Sequence, residues 1–481
     1  MIGVGILQLA ILFVALARAK GLAIVLGPEG LGIVGTIDQL VIMLAQMGSL
    51  GIPYTAMKFM SAAHSRSREA YLEEFAVFGR TMLAMALVAV GVGVSVLLFA
   101  PDVLDSVTAQ YRDAVFVAIF AVPTMMMAFF LPQALAAAQR PNSAALFNLA
   151  VQGSLAIAAL TGAVLSGIYG LYIATALAGT AFIVLSLVVL ARFQGLSVFR
   201  KRTARAPGAA RDPLVLRTAF MAYSSLVAYA LCLLVIRYAV LRSVGEAATG
   251  FLQAALAVAL SIGSILATMN NLYLAPALNR ALPAVEKFIQ ARNFASLIAL
   301  LLLAAAVPVA LFPGLTLTIL YTSQFTPAAT ALILCVLWQG LHQFAGVYLQ
   351  VLIGQDHLRF ATFSTILGLA ISSVLVFVLV GRFGIIAAPL ALIAGSLVSA
   401  VLNVARLAAV EKMPVPWDVA ARYLLAAVAV LGAGLLFAPA SELTLQGMAL
   451  RAGYWAAALL VAWVLHARDP VLKMRAGARL Q

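Results

Sequence analysis

The chain is a succession of about fourteen apolar stretches, and its Lys and Arg residues fall almost entirely into every second gap between them. Of the thirty Lys and Arg, twenty-two lie on one side of the stretches, four lie on the other and four lie within them. An apolar stretch of about 20 residues spans a bilayer as a helix, and cytoplasmic loops carry the excess of Lys and Arg. We therefore predict an all-α polytopic membrane protein with about fourteen transmembrane helices and with both termini in the cytoplasm.

Composition and charge narrow the class of protein further. With 64% hydrophobic and 10% charged residues, the chain cannot present a water-soluble surface, so no soluble domain is predicted. A net charge of +14 would suggest nucleic acid as the partner of a soluble protein, but here the basic residues lie in short loops at membrane ends, and no nucleic-acid partner is predicted. The apolar start lacks a basic leader and a small-residue cleavage site, which favours a retained first helix.

The predicted spans form two halves of six, followed by two more. Their approximate bounds are 2–26, 31–60, 75–100, 114–138, 144–166, 171–192, 217–241, 250–279, 294–312, 328–354, 360–381, 385–407, 419–437 and 449–466. An offset of about 216 residues aligns Arg18 before Gly27 with Arg237 before Gly245. Because each half holds an even number of spans, the halves have the same orientation and are related by a pseudo-two-fold axis along the membrane normal. The predicted divisions are a six-helix bundle over 1–192, a basic cytoplasmic linker over 193–216, a second six-helix bundle over 217–407, and two additional helices with a tail over 408–481.

Polar side chains recur along single faces of three predicted spans. They are Gln39 and Gln46 on the second span, Gln253 and Asn271 on the eighth, and Gln339, His342, Gln343 and Gln350 on the tenth. A polar stripe inside a bilayer either makes hydrogen bonds between helices or lines a hydrated cavity. Stripes in both halves favour a cavity in which the amides meet the hydroxyl groups of a substrate.

Two opposite charges lie near the predicted midplane of the membrane. Arg18 and Asp38 are eight or nine residues from the glycine-rich turn between the first two spans, or about 12 to 14 Å at 1.5 Å per residue, so they are predicted to be counter-ions. Arg237, the repeat partner of Arg18, has no buried acid in its own half. We predict that Arg237 is unpaired within the protein, and that Arg18 and Arg237 both bind an anionic substrate group, phosphate above all, because Arg offers forked donors. Lys58, beyond a break at Pro53, either meets the incoming phosphate or extends to the membrane surface.

A series of short motifs covers the first twelve spans in one order. The motifs are Leu26–Gly32, Gln39, Gly51, Lys58, Gly250–Gln253, Leu272–Leu278, Gln324–Pro327, Trp338–Gln339 and Tyr348. In these motifs the chain resembles the Wzx-type flippases of O-antigen and enterobacterial common antigen, in the multidrug/oligosaccharidyl-lipid/polysaccharide (MOP) exporter superfamily.

The resemblance implies a MATE-like fold and a function in surface polysaccharide biosynthesis, such as that of lipopolysaccharide O-antigen. The function implied is transfer of an undecaprenyl-pyrophosphate-linked oligosaccharide across the inner membrane by alternating access. A polysaccharide polymerase and glycosyltransferases of the same pathway are the partners implied. The last two helices depart from the twelve-helix Wzx pattern, and related lipid II flippases carry similar ones.

No cofactor or metal site is predicted, and a proton or sodium gradient is a candidate energy source, with Asp38 or His342 as the group that takes the ion. Two other functions stay open. An ion-coupled drug or cation antiporter of the same superfamily would want more buried acids than Asp38 alone. A membrane glycosyltransferase or polysaccharide ligase would need a larger external region, and the sequence has neither a GxxxxGK[ST] nor an HExxH motif. The chain is therefore predicted to be a transporter and not an enzyme.

Overall fold

The computed structural model describes residues 2–99, 111–199, 213–270, 274, 278, 284–355, 357–437 and 444–467, and nearly all of them are helical. The α-helices are α1 Ile2–Ser49, α2 Ile52–Arg66, α3 Arg68–Phe99, α4 Arg112–Ile119, α5 Val122–Ala137, α6 Pro141–Gln194, α7 Pro213–Val244, α8 Glu246–Met269, α9 Ala284–Leu311, α10 Pro313–Leu320, α11 Ala329–Gly354, α12 Leu358–Phe383, α13 Ala387–Val410, α14 Trp417–Leu436 and α15 Leu445–Ala467. Short 3₁₀ helices, Ser323–Ala328 and Gly384–Ile386, precede α11 and α13. Helix is the expected state of such apolar segments, because it satisfies backbone hydrogen bonds within the segment itself.

Eleven segments of the described chain are long and apolar enough to cross a membrane. Three of them have 44, 52 and 53 residues, about twice the length that a bilayer needs. Each is interrupted at a glycine with positive φ: Gly27 in α1, Gly167 in α6, and Gly384 between α12 and α13. When the two arms on either side of each break are counted separately, the described residues contain fourteen spanning helices. The predicted all-α polytopic fold is confirmed.

The chain divides into two compact units, residues 1–250 and residues 251–481. In the first unit, α1 packs along α6 and α7, while α2 packs against α3 and α5. In the second, α13 packs against both α11 and α12, and α9 packs against α14 and α15. An ion pair of 2.6 Å between Arg292 Nη2 and Asp418 Oδ2 joins α9 to α14. The division into six-helix bundles stays a prediction, and residues 200–212 of the predicted linker lie outside the described residues.

Glycines allow close approach of helix backbones. A Cβ atom on Gly395 of α13 would lie 2.1 Å from the carbonyl oxygen of Gly368 on α12. In the first unit, a Cβ atom on Gly250, in the second turn of α8, would lie 1.8 Å from the carbonyl oxygen of Pro28 on α1. Backbone-to-backbone packing of this kind joins helices in lipid, where burial of apolar side chains gives little preference for association.

One basic residue predicted at the non-cytoplasmic end of a span is buried inside the protein. Arg451 lies in the second turn of α15 and has no exposed surface. Its guanidinium carbon is 5.2 Å from the ring centroid of Phe312 and 5.3 Å from that of Phe437, and its Nη1 donates to the carbonyl oxygen of Leu311. Because a guanidinium group stacks well on aromatic faces, Arg451 fastens α15 to the end of α9.

Candidate functional site

The predicted pairing of Arg18 with Asp38 is present. Arg18 Nη2 donates to Asp38 Oδ2 at 3.0 Å, and the two side chains keep 30% and 28% of their surface exposed. Along an unbroken helix, twenty residues would separate these positions by about 30 Å, so the break at Gly27 must reverse the chain and bring the two arms of α1 side by side. Gly27 has a φ of 66°, a conformation that glycine adopts without steric cost.

A tyrosine from another helix completes the pair. The hydroxyl of Tyr172, on the second arm of α6, donates to Asp38 Oδ1 at 3.0 Å and also lies 3.1 Å from the carbonyl oxygen of Val34. Both carboxylate oxygens of Asp38 therefore have hydrogen-bond donors. The carboxylate of Asp38 balances the charge of Arg18.

Arg237 has protein partners, so the prediction that it is unpaired is wrong. Arg237 Nη1 donates to Gln39 Oε1 at 3.1 Å and to the carbonyl oxygen of Leu233 at 3.3 Å, and the residue is 4% exposed. The partner, Gln39, lies on α1 in the first half of the chain, whereas the sequence analysis considered only acidic residues of the second half. Both of these acceptors are uncharged oxygens, unlike the acceptor of Arg18.

The two arginines therefore hydrogen-bond to consecutive residues of one helix arm. Asp38 accepts a hydrogen bond from Arg18, and the next residue, Gln39, accepts one from Arg237. The amide nitrogen of Gln39 also donates to the carbonyl oxygen of Ala230 on α7 at 3.0 Å. Gln39 thus makes hydrogen bonds between helices, which is the alternative that the sequence analysis kept open for its stripe.

The other predicted binding residues take different environments. In the second unit, Gln343 Nε2 donates to the carbonyl oxygen of Gly263 at 3.2 Å, and Gln339 packs over the same glycine with its Oε1 buried and without a hydrogen bond among the described residues. The ring of His342 lies 5.8 Å from that of Trp338. Lys58 is exposed, whereas Gln253 and Gln350 are half-buried, and Asn271 lies outside the described residues.

One cavity in the first unit contains polar residues that sequence reasoning missed. Its volume is about 220 Å³, and its polar lining consists of Gln46, Ser49, Gln133, Asn148 and Tyr223. We call it the amide cavity. Of these residues only Gln46 was predicted to bind substrate, since it belongs to a stripe. Gln133 and Asn148 do not belong to the stripes that the sequence analysis identified, and only the packing of α5 and α6 brings them beside α1.

No group of three or more His, Cys, Asp or Glu residues that could hold a metal ion occurs among the residues that the structure describes. Cys232 and Cys335 are both buried and unoxidised, as expected of packing residues. What the first unit offers chemically is a pair of guanidinium groups at membrane depth and, along the same helix arm, a cavity lined by neutral hydrogen-bonding groups.

The fold is one that solved membrane transporters share. The lipid II flippase MurJ, in an inward closed conformation, matches with a TM-score of 0.65 and 12% identity over 98% of this chain and 99% of that chain. An outward-facing multidrug resistance MATE family transporter of the MOP superfamily matches with a TM-score of 0.60 and 16% identity, over 86% and 96%. An inward-facing conformation of such a transporter matches with a TM-score of 0.58 and 15% identity, over 85% and 99%. No family model and no curated protein matches the chain.

Proposed function

We propose that this protein is a flippase that moves an undecaprenyl-pyrophosphate-linked oligosaccharide across the bacterial inner membrane by alternating access, for surface polysaccharide such as O-antigen. The observation that carries the proposal is the pair of arginines that hydrogen-bond to Asp38 and Gln39, consecutive residues of one helix arm. Two guanidinium groups within membrane-spanning helices are costly unless they serve function, and their forked donors match the oxygens of a diphosphate.

In the proposed mechanism the prenyl tail stays in lipid while the diphosphate and sugars pass through the protein. Arg18 exchanges Asp38 for a phosphate oxygen when substrate enters, and Asp38 keeps the hydroxyl of Tyr172. Arg237 exchanges the neutral oxygen of Gln39 for a second phosphate oxygen. The exposed ammonium group of Lys58 acts earlier, as an attractive charge for the incoming diphosphate. Protonation of Asp38 by a proton gradient would weaken its hold on Arg18 and so couple the exchange to the gradient.

Coverage in the structural comparisons supports a flippase. The match to the lipid II flippase extends over 98% of the chain and therefore includes the last two helices, α14 and α15, whereas the MATE matches extend over 85–86%. A glycan-bearing lipid would also make the polymerase and glycosyltransferases of its pathway natural partners.

The second candidate is an ion-coupled drug or cation antiporter, which the MATE matches favour. An antiporter of organic cations needs acids that face its substrate. Asp38 is engaged by Arg18 and Tyr172, so it is a poor site for an organic cation in this conformation.

Charge removal at Arg237 tests the flippase. In proteoliposomes that contain lipid-linked sugar, we expect Arg237→Ala to reduce leaflet transfer at least about 10-fold, because a charge-assisted hydrogen bond contributes about 1.5 to 3 kcal/mol. Arg237→Lys should retain part of the activity. Arg242→Ala is the matched control, since Arg242 is an exposed residue near the end of the same helix. Full transfer by Arg237→Ala would reject the role of this residue. Organic-cation efflux by the wild type without lipid transfer would favour the antiporter, and transfer of glycan between acceptors would favour the ligase.

A further inference from the structure

The second arm of α1 ends beside the amide cavity. α1 ends at Ser49 and α2 begins at Ile52, and between them Leu50 has a φ of 46° and Gly51 a φ of 72°. The carbonyl oxygen of Met47, in the last turn of α1, accepts hydrogen bonds from the backbone N–H of Leu50 and from the hydroxyl of Tyr223 on α7. The end of α1 is therefore joined to α7 beside the cavity.

One amide oxygen at the cavity lacks a partner. Gln46 Oε1 is buried without a hydrogen-bond partner in the described part of the chain. Gln133 on α5 and Asn148 on α6 are half-buried and line the same space. A buried amide oxygen without a partner costs free energy, so Gln46 indicates a ligand or water in the cavity that supplies the missing partner, and the two neighbouring amides can bond the same ligand.

The lining specifies the chemistry of that ligand. None of the residues that line the cavity carries a charge, so a phosphate would gain no counter-ion there. Phe129 and Pro132 add apolar surface to the lining. A group with hydroxyl or amide substituents on its edge and an apolar C–H face fits both features, and a pyranose ring has this form. Drug-sized ligands occupy pockets of about 300 to 1,000 Å³, so a cavity of about 220 Å³ suits one sugar ring.

We propose that the amide cavity binds one uncharged sugar residue of the lipid-linked substrate, a site that rests on the proposed function and adds to it a determinant of glycan specificity. Gln46 follows Asp38 by eight residues on one helix arm, which is about 12 Å along the axis. The sugar site and the arginines that bind the diphosphate are therefore distinct sites on the same helix. One substrate molecule reaches both when its sugars extend from the diphosphate along α1.

Two probe lipids separate the sugar site from the diphosphate site. Binding of undecaprenyl pyrophosphate and of undecaprenyl-pyrophosphate N-acetylglucosamine is measured for the protein in nanodiscs. The variants are Gln46→Leu, Gln133→Leu and Asn148→Ala, which alter three different helices, so misfolding of one leaves two to test. Each is expected to weaken binding of the sugar-bearing lipid about 3- to 10-fold, the effect of one lost neutral hydrogen bond, and to leave binding of the sugar-free lipid unchanged. Gln152→Leu is the control, because Gln152 is exposed one turn after Asn148 on α6.

The outcomes distinguish this inference from the proposed function. Selective weakening of the sugar-bearing lipid supports the sugar site. Equal weakening of both lipids, or no weakening of either by any folded variant, overturns the sugar site while the proposed function stands. Failure of the wild type to bind either lipid overturns the proposed function, and the sugar site falls with it.

Discussion

At the scale of single residues, Arg18 and Arg237 play unequal parts although the sequence repeat aligns them. Arg18 is half-buried against a carboxylate, so its charge is already balanced, whereas Arg237 donates to the neutral oxygens of Gln39 and Leu233. An anion that approaches Arg18 must compete with Asp38. In the proposed mechanism, this competition would keep the two arginines from holding substrate too tightly, because release restores an existing ion pair.

Replacing Asp38 by Asn should therefore strengthen binding of undecaprenyl pyrophosphate. A partly exposed ion pair contributes up to about 1 kcal/mol, so we expect an increase in affinity of about 5-fold, together with slower transfer because release becomes harder. Equilibrium binding and transfer rates in nanodiscs and proteoliposomes measure the two effects. Tyr172→Phe is the control, since it removes a hydrogen bond from the carboxylate but leaves its charge. An affinity that is unchanged or reduced in Asp38→Asn would contradict competition for Arg18.

The sequence predicted one of these contacts and missed the other for a physical reason. Arg18 and Asp38 flank the same turn at nearly equal distances, so helix geometry alone brings them to one depth. Arg237 and Gln39 are 198 residues apart, and their contact depends on how α7 packs on α1. Residue spacing carries no information about such packing. The sequence analysis considered only acidic residues as partners of Arg237, so it did not identify the amide of Gln39.

At the scale of elements, the approach of α1 to α8 depends on glycine. The carbonyl oxygen of Pro28 occupies the space that a Cβ atom of Gly250 would need, and a Cβ atom on Gly32 would lie 2.4 Å from the carbonyl oxygen of Glu246. Tyr111 extends this contact, since its hydroxyl donates to Glu246 Oε2 at 3.3 Å. Burial, with the negative charge of Glu246 added, raises the pKa of Tyr111, so this hydrogen bond persists well above neutral pH.

Gly250→Ala should separate these helices and destabilise the protein. We expect a loss of about 1 to 3 kcal/mol in the free energy of unfolding, because the methyl group would overlap backbone atoms that cannot move aside without a shift of the helix. Gly153→Ala is the matched control, since a Cβ atom at Gly153 meets nothing within 4 Å and alanine favours helix. Denaturant or thermal unfolding in detergent compares the two. Equal stability of Gly250→Ala and wild type would show that the contact tolerates added volume.

Breaks within elements were only partly predictable. Pro53 predicts an interruption in the second span. The residues with positive φ are Leu50 and Gly51, which precede the proline. Leucine rarely adopts positive φ, so local preference does not select this conformation. Tertiary contacts stabilise it, among them the hydrogen bond from Tyr223 to the carbonyl oxygen of Met47. The residues of the amide cavity escaped notice for the same reason, because only folded helices bring them together.

At the scale of the whole molecule, the alternation of basic and non-basic loops predicts the topology. Large apolar side chains on the outside of the helices, such as Phe13 with 73% of its surface exposed, face lipid rather than water. The overall fold could be predicted from the sequence because every spanning segment must be an apolar helix and the Lys and Arg of its loops set its orientation. No comparably simple rule predicts how the segments pack against one another.

Thiol labelling checks the topology. Ser65 and Ser243 are both exposed in the last turn of a helix, on opposite predicted sides of the membrane. In spheroplasts, a membrane-impermeant maleimide should label Ser243→Cys at once and Ser65→Cys only after permeabilisation. The native Cys232 and Cys335 are buried and should give little background. The reverse pattern would invert the predicted orientation.

Because Asp38 and Gln39 are consecutive, the second arm of α1 carries the hydrogen-bond acceptors of both guanidinium groups. Neighbouring residues of a helix differ by about 100° in direction, so a turn of this arm by even half that angle swings the two side chains in the same sense. Rotation of this arm would therefore move the acceptors of both arginines together. In the proposed mechanism, one helix movement would then change the hold of both arginines on a doubly charged substrate.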